Sequence, residues 1–133
     1  IDQFKPKVAI LSATEEALPQ MESSMDAIKL VDWSKNEYPD LDIYGPLAFD
    51  NAISEEAASI KGISSNVAGK ANIIIVPNIE TGNSLVKIMV NFMQATAGGF
   101  IVGGKVPVVI TSRSDDLDSR LSSISNAILC IDR

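Results

Sequence analysis

The sequence contains no histidine, one cysteine and no long apolar run, and each shortage excludes a class of protein. Without histidine there is no serine–histidine triad, no histidine general base and almost no route to a zinc site, so we expect no metal. The single cysteine, Cys130, has no internal disulfide partner, which favours a cytoplasmic protein, and its apolar neighbours predict a buried, structural thiol. The longest apolar stretches, such as residues 73–76, are too short to cross a bilayer, and no signal peptide is visible.

Positive charge is also scarce, since 11 Lys and Arg residues against 17 Asp and Glu residues give a net charge of −6. Nucleic acids and anionic membranes are bound by basic surfaces, so we expect neither as a partner. The 46% apolar and 21% charged residues are ordinary for a folded protein, and 133 residues suit one compact domain. The chain opens with Ile1-Asp2-Gln3 rather than an initiating methionine, so we expect it to be part of a longer protein.

Short runs of branched apolar residues predict strands that alternate with helices. The predicted strands are residues 7–11, 41–44, 72–76, 100–102 and 106–111. This alternation is typical of an α/β fold, and we expect a three-layer sandwich around a mostly parallel sheet.

Apolar residues at helical spacing predict four helices between and after these strands. The first runs from Thr14 to about Val31 and is followed by a loop over residues 33–39. The second is capped by Asp50 or Ser54 and stops at Gly62. The third holds an apolar face that starts at Leu85, and the fourth is capped by Asp115 or Asp116. The methionines of these helices are predicted to pack in the core; they are Met21, Met25, Met89 and Met93.

In open α/β sheets, ligands bind beyond the carboxyl ends of strands, close to helix N-termini, and two loops of this chain meet that description. The first is residues 77–84, where Gly82 would let the main chain approach a ligand and free N–H groups of the next helix would favour an anion. The alternative is structural, with Thr81 or Asn83 capping the helix and Gly82 making a turn.

The second loop, residues 111–116, contains one of only three arginines in the chain. Arg113 follows a predicted strand and precedes a predicted helix, so its guanidinium is suited to a two-pronged grip on phosphate. The alternative is a surface ion pair with Asp115, Asp116 or Asp118, which would contribute little to stability.

Three longer segments resemble the phosphate acyltransferases, and phosphate butyryltransferases most of all. They are residues 45–54 (GPLAFDNAIS), residues 67–83 (VAGKANIIIVPNIETGN) and residues 104–115 (GKVPVVITSRSD), and they occur in the same order as in that family. The resemblance implies a two-domain protein with the isocitrate/isopropylmalate dehydrogenase-like fold. Residues 1–111 would form its second domain, and residues 112–133 would return to a first domain that this chain lacks.

Members of this family interconvert acyl-CoA plus phosphate with acyl phosphate plus CoA, so the resemblance implies CoA as a substrate and no tightly bound cofactor. It implies that Ser112 hydrogen-bonds the thiol or the reacting carbonyl, that Arg113 holds the phosphoryl group, and that a following aspartate is the base. Asp115, Asp116 and Asp118 all remain open for that last role, with Asp118 favoured. The implied substrate-binding residues are Asp50, Asn78, Glu80, Gly82 and Asn83.

The resemblance also implies a homodimer formed through this domain. No covalent acyl-enzyme is expected, in agreement with the absence of a histidine-activated nucleophile. The alternative from another class is a non-catalytic binding or dimerisation domain, since half of the expected cleft is missing from this chain. A dehydrogenase of the same fold would need a nucleotide site that the sequence does not contain.

Overall fold

The computed structural model describes residues 4–131, which form two compact units, one up to Gly82 and one from Asn83 onwards. The first unit contains the elements β1 (Lys7–Leu11), α1 (Glu22–Glu37), β2 (Asp42–Leu47), α2 (Phe49–Ile53), α3 (Glu55–Ile60) and β3 (Ile73–Ile75). Helix α4 (Ile79–Met93) begins in the first unit and continues into the second, which also contains α5 (Leu117–Leu129).

The sheet of the first unit is parallel, with the strand order β2-β1-β3. Val8 of β1 lies opposite Ile43 on one side and Ile73 on the other. Because β1 has a neighbour on both edges, its residues are the best buried of the three strands, which explains its continuous apolar run. The predicted α/β architecture and its parallel sheet are confirmed.

Helix α1 packs on β1 and β2 and forms the centre of the hydrophobic core. Ile10 of β1 contacts Ala27 and Val31 of α1, and Ile43 of β2 packs against this group. Ala27 is fully buried. The core therefore joins the middle strand to one face of α1.

The predicted position of the first helix, from Thr14 to about Val31, is wrong, because α1 spans Glu22–Glu37. The Thr14 hydroxyl accepts a hydrogen bond from the Glu16 N–H at 3.1 Å and so caps a turn instead of a helix. The Ser24 hydroxyl accepts from the Leu18 N–H at 3.0 Å and holds the intervening chain as a loop. The predicted loop over residues 33–39 is wrong for residues 33–37, which belong to α1, and correct for residues 38–39. Ser34 is buried within this part of the helix, and its hydroxyl donates to the Val31 carbonyl.

Two further boundaries in the first unit differ from the sequence-based prediction. The strand predicted to end at Gly45-Pro46 continues to Leu47, and it pairs only with β1, so the missing N–H of Pro46 is tolerated at an edge. The single helix predicted before Gly62 is divided at Ser54. The Ser54 hydroxyl caps α3 by accepting a hydrogen bond from the Ala57 N–H at 3.2 Å, so Ser54, one of the two predicted caps, is confirmed.

Gly69 holds the connector between α3 and β3 against α2 and α3. Its N–H donates to the Asn51 carbonyl at 2.7 Å, and its φ is +76°. A Cβ at this position would lie 2.5 Å from the Glu55 Cα, so only glycine permits this approach.

In the second unit, α4 and α5 are confirmed, whereas the two strands predicted at residues 100–102 and 106–111 are not formed. The described chain has only an isolated antiparallel bridge between Ile101 and Val108 in this region. Asp116 is the N-cap of α5, and its carboxylate accepts the Ser119 N–H at 2.8 Å. Asp116 is therefore the correct one of the two predicted caps.

Helix α5 buries its small residues and exposes its large apolar ones. Ser119, Ser123 and Ala127 are buried. The loop at residues 98–99 lies against this helix, since a Cβ at Gly98 would meet the Ser122 hydroxyl and the Gly99 N–H donates to the Ser123 hydroxyl at 3.0 Å. The interpretation of Cys130 as buried is wrong, because it lies exposed at the carboxyl end of α5.

Two of the methionine assignments are also wrong, because Met89 and Met93 of α4 are exposed. No residue within Ile79–Met93 is buried. Met21 and Met25 are half-buried in the first unit, and the Met21 sulfur accepts a hydrogen bond from the Ser12 hydroxyl at 3.2 Å.

Candidate functional site

Residues 112–115 of the second unit form a closed turn ahead of α5. The Ser112 N–H donates to the Asp115 carboxylate at 2.7 Å, and the Asp115 N–H donates back to the Ser112 carbonyl at 3.2 Å. The Ser112 and Ser114 hydroxyls lie 3.0 Å apart and share a hydrogen bond. This turn fixes the main chain on both sides of Arg113.

Arg113 is exposed at this turn, and no ion pair involves its guanidinium in the part of the chain that the structure describes. The alternative, in which Arg113 forms a surface ion pair with Asp115, Asp116 or Asp118, is therefore wrong for the described structure. Asp115 and Asp116 instead accept main-chain N–H groups. The Arg113 guanidinium is left available to an anion.

Arg120, which is not among the residues predicted from the sequence, supports the turn. Its Nε donates to the Asp115 carbonyl at 3.1 Å and its Nη2 donates to the Arg113 carbonyl at 3.4 Å. The signal in the sequence is an arginine in the first turns of α5, long enough to reach back over the helix N-terminus. Its guanidinium thus donates hydrogen bonds to two main-chain carbonyls of the loop.

The three candidate bases differ in their surroundings. The Asp115 carboxylate is held by the Ser112 N–H, and the hydrogen bond from the Ser119 N–H lowers the pKa of Asp116 below its usual value. Asp118 is exposed in the first turn of α5, and its carboxylate has no hydrogen bond within residues 4–131. Asp118 is thus the one of the three whose carboxylate is not already engaged.

A cavity of about 490 Å³ lies within the second unit and brings together two of the predicted site residues, Asn83 and Ser112. Its other polar lining residues include Lys87, Asp115 and Ser123. The apolar part of the wall is formed by residues that include Val86, Met89, Val90 and Ile110. Arg113 and Asp118 do not line this cavity.

The first loop, residues 77–84, is largely helical, because α4 begins at Ile79 rather than after Gly82. Asn78 caps the helix, since its side-chain oxygen accepts the Thr81 N–H at 2.9 Å and the Thr81 hydroxyl at 2.8 Å. The alternative caps, Thr81 and Asn83, are therefore wrong. Glu80 is exposed in the first turn.

Gly82 has a packing reason to be glycine, because a Cβ there would lie 3.0 Å from a methyl group of Val76. It thus allows the start of α4 to lie close to the chain that leaves β3. Asn78 also lines a cavity of about 540 Å³ at the carboxyl ends of β1 and β3, beside α1.

Asp50 lies exposed in the first turn of α2, and its carboxylate accepts the Asn51 N–H at 2.9 Å. It lines none of the cavities found in the described chain. Its neighbour Asn51 is fully buried and donates from Nδ2 to Glu15 at 3.2 Å, while its own Oδ1 has no partner. The other Glu15 oxygen pairs with Lys61 at 2.8 Å, and this hydrogen bond lowers the pKa of Glu15.

The cluster of Glu15, Asn51 and Lys61 ties the loop after β1 to α2 and α3. Its members are far apart in the sequence and carry no common pattern, so the sequence did not predict it. Within residues 4–131, no cluster of three metal-ligating side chains occurs, and no helix is long and apolar enough to span a membrane.

Comparisons with known proteins agree on one family. The sequence model of the family described as "Phosphate acetyl/butaryl transferase" matches residues 1–128. A phosphate acetyltransferase from Rhizobium meliloti is 44% identical over 126 residues, which are 94% of this chain and 40% of that protein. A phosphate butyryltransferase from Clostridium acetobutylicum is 44% identical over 125 residues, which are 93% of this chain and 42% of that protein.

Among solved structures, a branched-chain phosphotransacylase from Enterococcus faecalis superposes with a TM-score of 0.78 at 42% identity. The match covers 93% of this chain and 45% of that one. A phosphotransacetylase from Streptococcus pyogenes has the same TM-score of 0.78 at 30% identity and covers 98% of this chain. The chain therefore spans less than half the length of the relatives it matches. Since the family model extends over residues 1–128, the chain belongs to the phosphate acetyl/butyryl transferase family.

Proposed function

We propose that this chain is part of an enzyme that transfers an acyl group reversibly between CoA and phosphate. The observation that carries the proposal is the 44% identity over 94% of the chain to a phosphate acetyltransferase, with a comparable match to a phosphate butyryltransferase. The exposed Arg113 guanidinium, which is free of ion pairs among the described residues, supports it from the chemical side.

In the direction of acyl-CoA synthesis, a base takes the proton of the CoA thiol, which is mostly protonated at neutral pH. The thiolate attacks the carbonyl carbon of the acyl phosphate and forms the C–S bond. The C–O bond to the phosphate then breaks, and phosphate leaves with the electron pair. In the reverse direction a phosphate oxygen attacks the thioester carbonyl, the C–S bond breaks, and the thiolate recovers its proton from the base.

The turn before α5 supplies groups that suit these steps. Arg113 would hold the phosphoryl group and stabilise the charge that develops on the departing phosphate. The Ser112 hydroxyl would donate to the reacting carbonyl or to the thiol sulfur. Asp118 would be the base, because the carboxylates of Asp115 and Asp116 already accept main-chain N–H groups.

The remaining predicted substrate-binding residues divide between structural and free groups. Asn78 caps α4 with its side-chain oxygen and would offer substrate only its amide N–H groups. Glu80 and Asn83 are exposed and would contact substrate directly, Asp50 would do so through the oxygen that does not accept the Asn51 N–H, and Gly82 would act through the main chain.

We further propose that the chain is the second domain of a two-domain protein with the isocitrate dehydrogenase-like fold, with residues 112–133 returning to the first domain. The relatives are more than twice as long as the matched segment, which supports this arrangement. We also propose a homodimer through this domain, since α4 exposes large apolar residues such as Phe92 and Met93.

The test is an assay of the full-length protein that contains this chain, with acetyl-CoA or butyryl-CoA plus phosphate, in which the release of free thiol is followed. Phosphate-dependent thiol release is expected, and comparison of the two acyl-CoA substrates will identify the preferred acyl group. The 133-residue chain alone should be inactive, because positioning two substrates in a complete cleft provides much of the rate. A full-length protein that releases no thiol would instead favour the non-catalytic binding or dimerisation domain.

A further inference from the structure

One face of α4 forms a wall of the cavity in the second unit. Asn83, Val86, Lys87 and Val90 occur at spacings of three and four residues, so they share one face of the helix, and all four line the cavity. Lys87 is half-buried there. The cavity thus contains a lysine that the predicted site did not include.

Lys87 differs from most lysines of this chain in its lack of an anionic partner. Of the eight lysines, five form ion pairs with Asp or Glu; these are Lys5, Lys29, Lys35, Lys61 and Lys70. Lys7, Lys87 and Lys105 form no ion pair among the residues that the structure describes, and of these three Lys87 is the one that lines this cavity. The loss of hydration around a half-buried ammonium is unfavourable, so an anion that enters the cavity would be attracted to it.

The carboxylate of the same cavity, Asp115, is engaged elsewhere, since it accepts the Ser112 N–H at 2.7 Å. The Ser123 hydroxyl is also used, because it accepts from the Gly99 N–H and donates to the Ser119 carbonyl. The Lys87 ammonium and the Asn83 amide, four residues apart on one helix face, have no hydrogen bond among the described residues and remain for a ligand. The hydroxyls of Thr96 and Ser112 at the same cavity also remain for a ligand. The ammonium and the amide are both suited to the oxygens of a phosphoryl group.

We propose that Lys87 is a further substrate-binding residue, which with Asn83 holds a phosphoryl oxyanion in this cavity. The proposal rests on the acyltransferase function proposed above, in which such oxyanions occur both in phosphate or acyl phosphate and in CoA. The cavity wall also includes apolar residues such as Val86 and Ile110, which offer the ammonium no competing hydrogen-bond acceptor in their side chains.

The first test is steady-state kinetics of the full-length protein in both directions with Lys87→Met, which keeps an unbranched side chain one atom shorter and removes its charge. Loss of a charge-assisted contact should raise the KM for one oxyanion substrate about tenfold or more. A rise for phosphate and acyl phosphate identifies the transferred group, whereas a rise for CoA alone identifies a phosphate of CoA. Lys35→Met on α1 makes the same change of net charge outside the cavity and should leave all KM values unchanged.

Lys87→Arg separates charge from packing, because it keeps the cation and should retain KM values close to those of the wild type. Equal damage by Lys87→Met and Lys87→Arg, together with lowered melting temperatures, would make Lys87 structural and overturn the proposal. Unchanged KM values in Lys87→Met would overturn it as well.

The second test does not require turnover. Lys87 and Lys35 are labelled with traces of acetic anhydride in the wild-type protein, and their modification rates are measured by peptide mass spectrometry. Inorganic phosphate or CoA should slow the labelling of Lys87 and leave that of Lys35 unchanged. Equal rates with and without both ligands would refute the binding role. A wild-type protein without thiol release would refute the proposed function alone, and the labelling would then decide the role of Lys87.

Discussion

Replacement of Arg113 by alanine in the full-length protein should damage turnover and leave the fold intact. The Arg113 guanidinium makes no ion pair within residues 4–131. Its main-chain carbonyl, which accepts from Arg120, is retained in the variant. The free energy of unfolding should therefore change by no more than about 0.5 kcal/mol, as for an ordinary surface substitution.

The effect on rate follows from the role proposed for the guanidinium. A planar cation that holds phosphate strengthens its contact as charge develops on the departing group, so its loss should cost about 3 kcal/mol, or about a hundredfold in rate. Arg113→Lys retains the charge and loses the two-pronged grip on phosphate, so it should also be clearly impaired.

The assay is kcat and KM in both directions, together with a thermal melt of each variant. Arg120→Ala provides the structural contrast, since it removes an arginine that hydrogen-bonds the loop carbonyls and should lower the melting temperature, which Arg113→Ala should not. Turnover close to that of the wild type with Arg113→Ala would refute the phosphate role. A collapsed melt of that variant would instead make Arg113 structural.

Three further predictions concern stability and association. Gly69→Ala should destabilise the fold by at least about 2 kcal/mol in chemical denaturation, because the new Cβ would meet the Glu55 main chain. Gly62→Ala is the control: Gly62 also has a positive φ, of +69°, but its Cβ would point into open space, so this variant should lose less stability. The hydrogen bond from Lys61 lowers the pKa of Glu15 in the folded protein. The pair therefore stabilises the fold fully at a pH above the pKa of Glu15 in the unfolded chain, and this stabilisation is lost as the pH falls through the lower pKa of the folded state. The melting-temperature difference between wild type and Glu15→Gln should therefore shrink on acidification, and a difference independent of pH would contradict this role. Phe92, 83% exposed on α4, should lie in the dimer interface, so Phe92→Glu should halve the mass of the full-length protein in light scattering; a wild-type monomer would refute the dimer.

Local sequence was sufficient for elements whose signal depends on neighbouring residues. The branched run of β1, the apolar run of β3 and the apolar spacing of α4 all predicted the correct element type. The caps of α3 and α5 were also among the predicted candidates, because a cap is an interaction over three residues. The first helix was misplaced because a threonine such as Thr14 can cap either a turn or a helix. The hydrogen bond between the Leu18 N–H and the Ser24 hydroxyl, which holds this segment as a loop, is not visible in the sequence.

The candidate site divides in the same way. The sequence identified the loop that contains Ser112 and Arg113, since its residue types follow a strand-like run and precede a helix. It did not identify Arg120, which reaches back to the loop carbonyls, or Lys87, whose half-buried position depends on the fold of the second unit. The predicted strands at residues 100–102 and 106–111 failed because strand pairing needs a neighbour at the right distance, and apolar runs do not specify one.

By itself, the sequence determined the α/β class, the family, and the position of the arginine loop ahead of α5. These depend on composition, periodicity and contiguous segments, all of which are properties of neighbouring residues. Only the tertiary structure decided which aspartate keeps a free carboxylate, which unpaired lysine lines the cavity of the second unit, and how Glu15, Asn51 and Lys61 join. Those features are contacts between residues distant in the chain, and the fold as a whole sets their distances and burial.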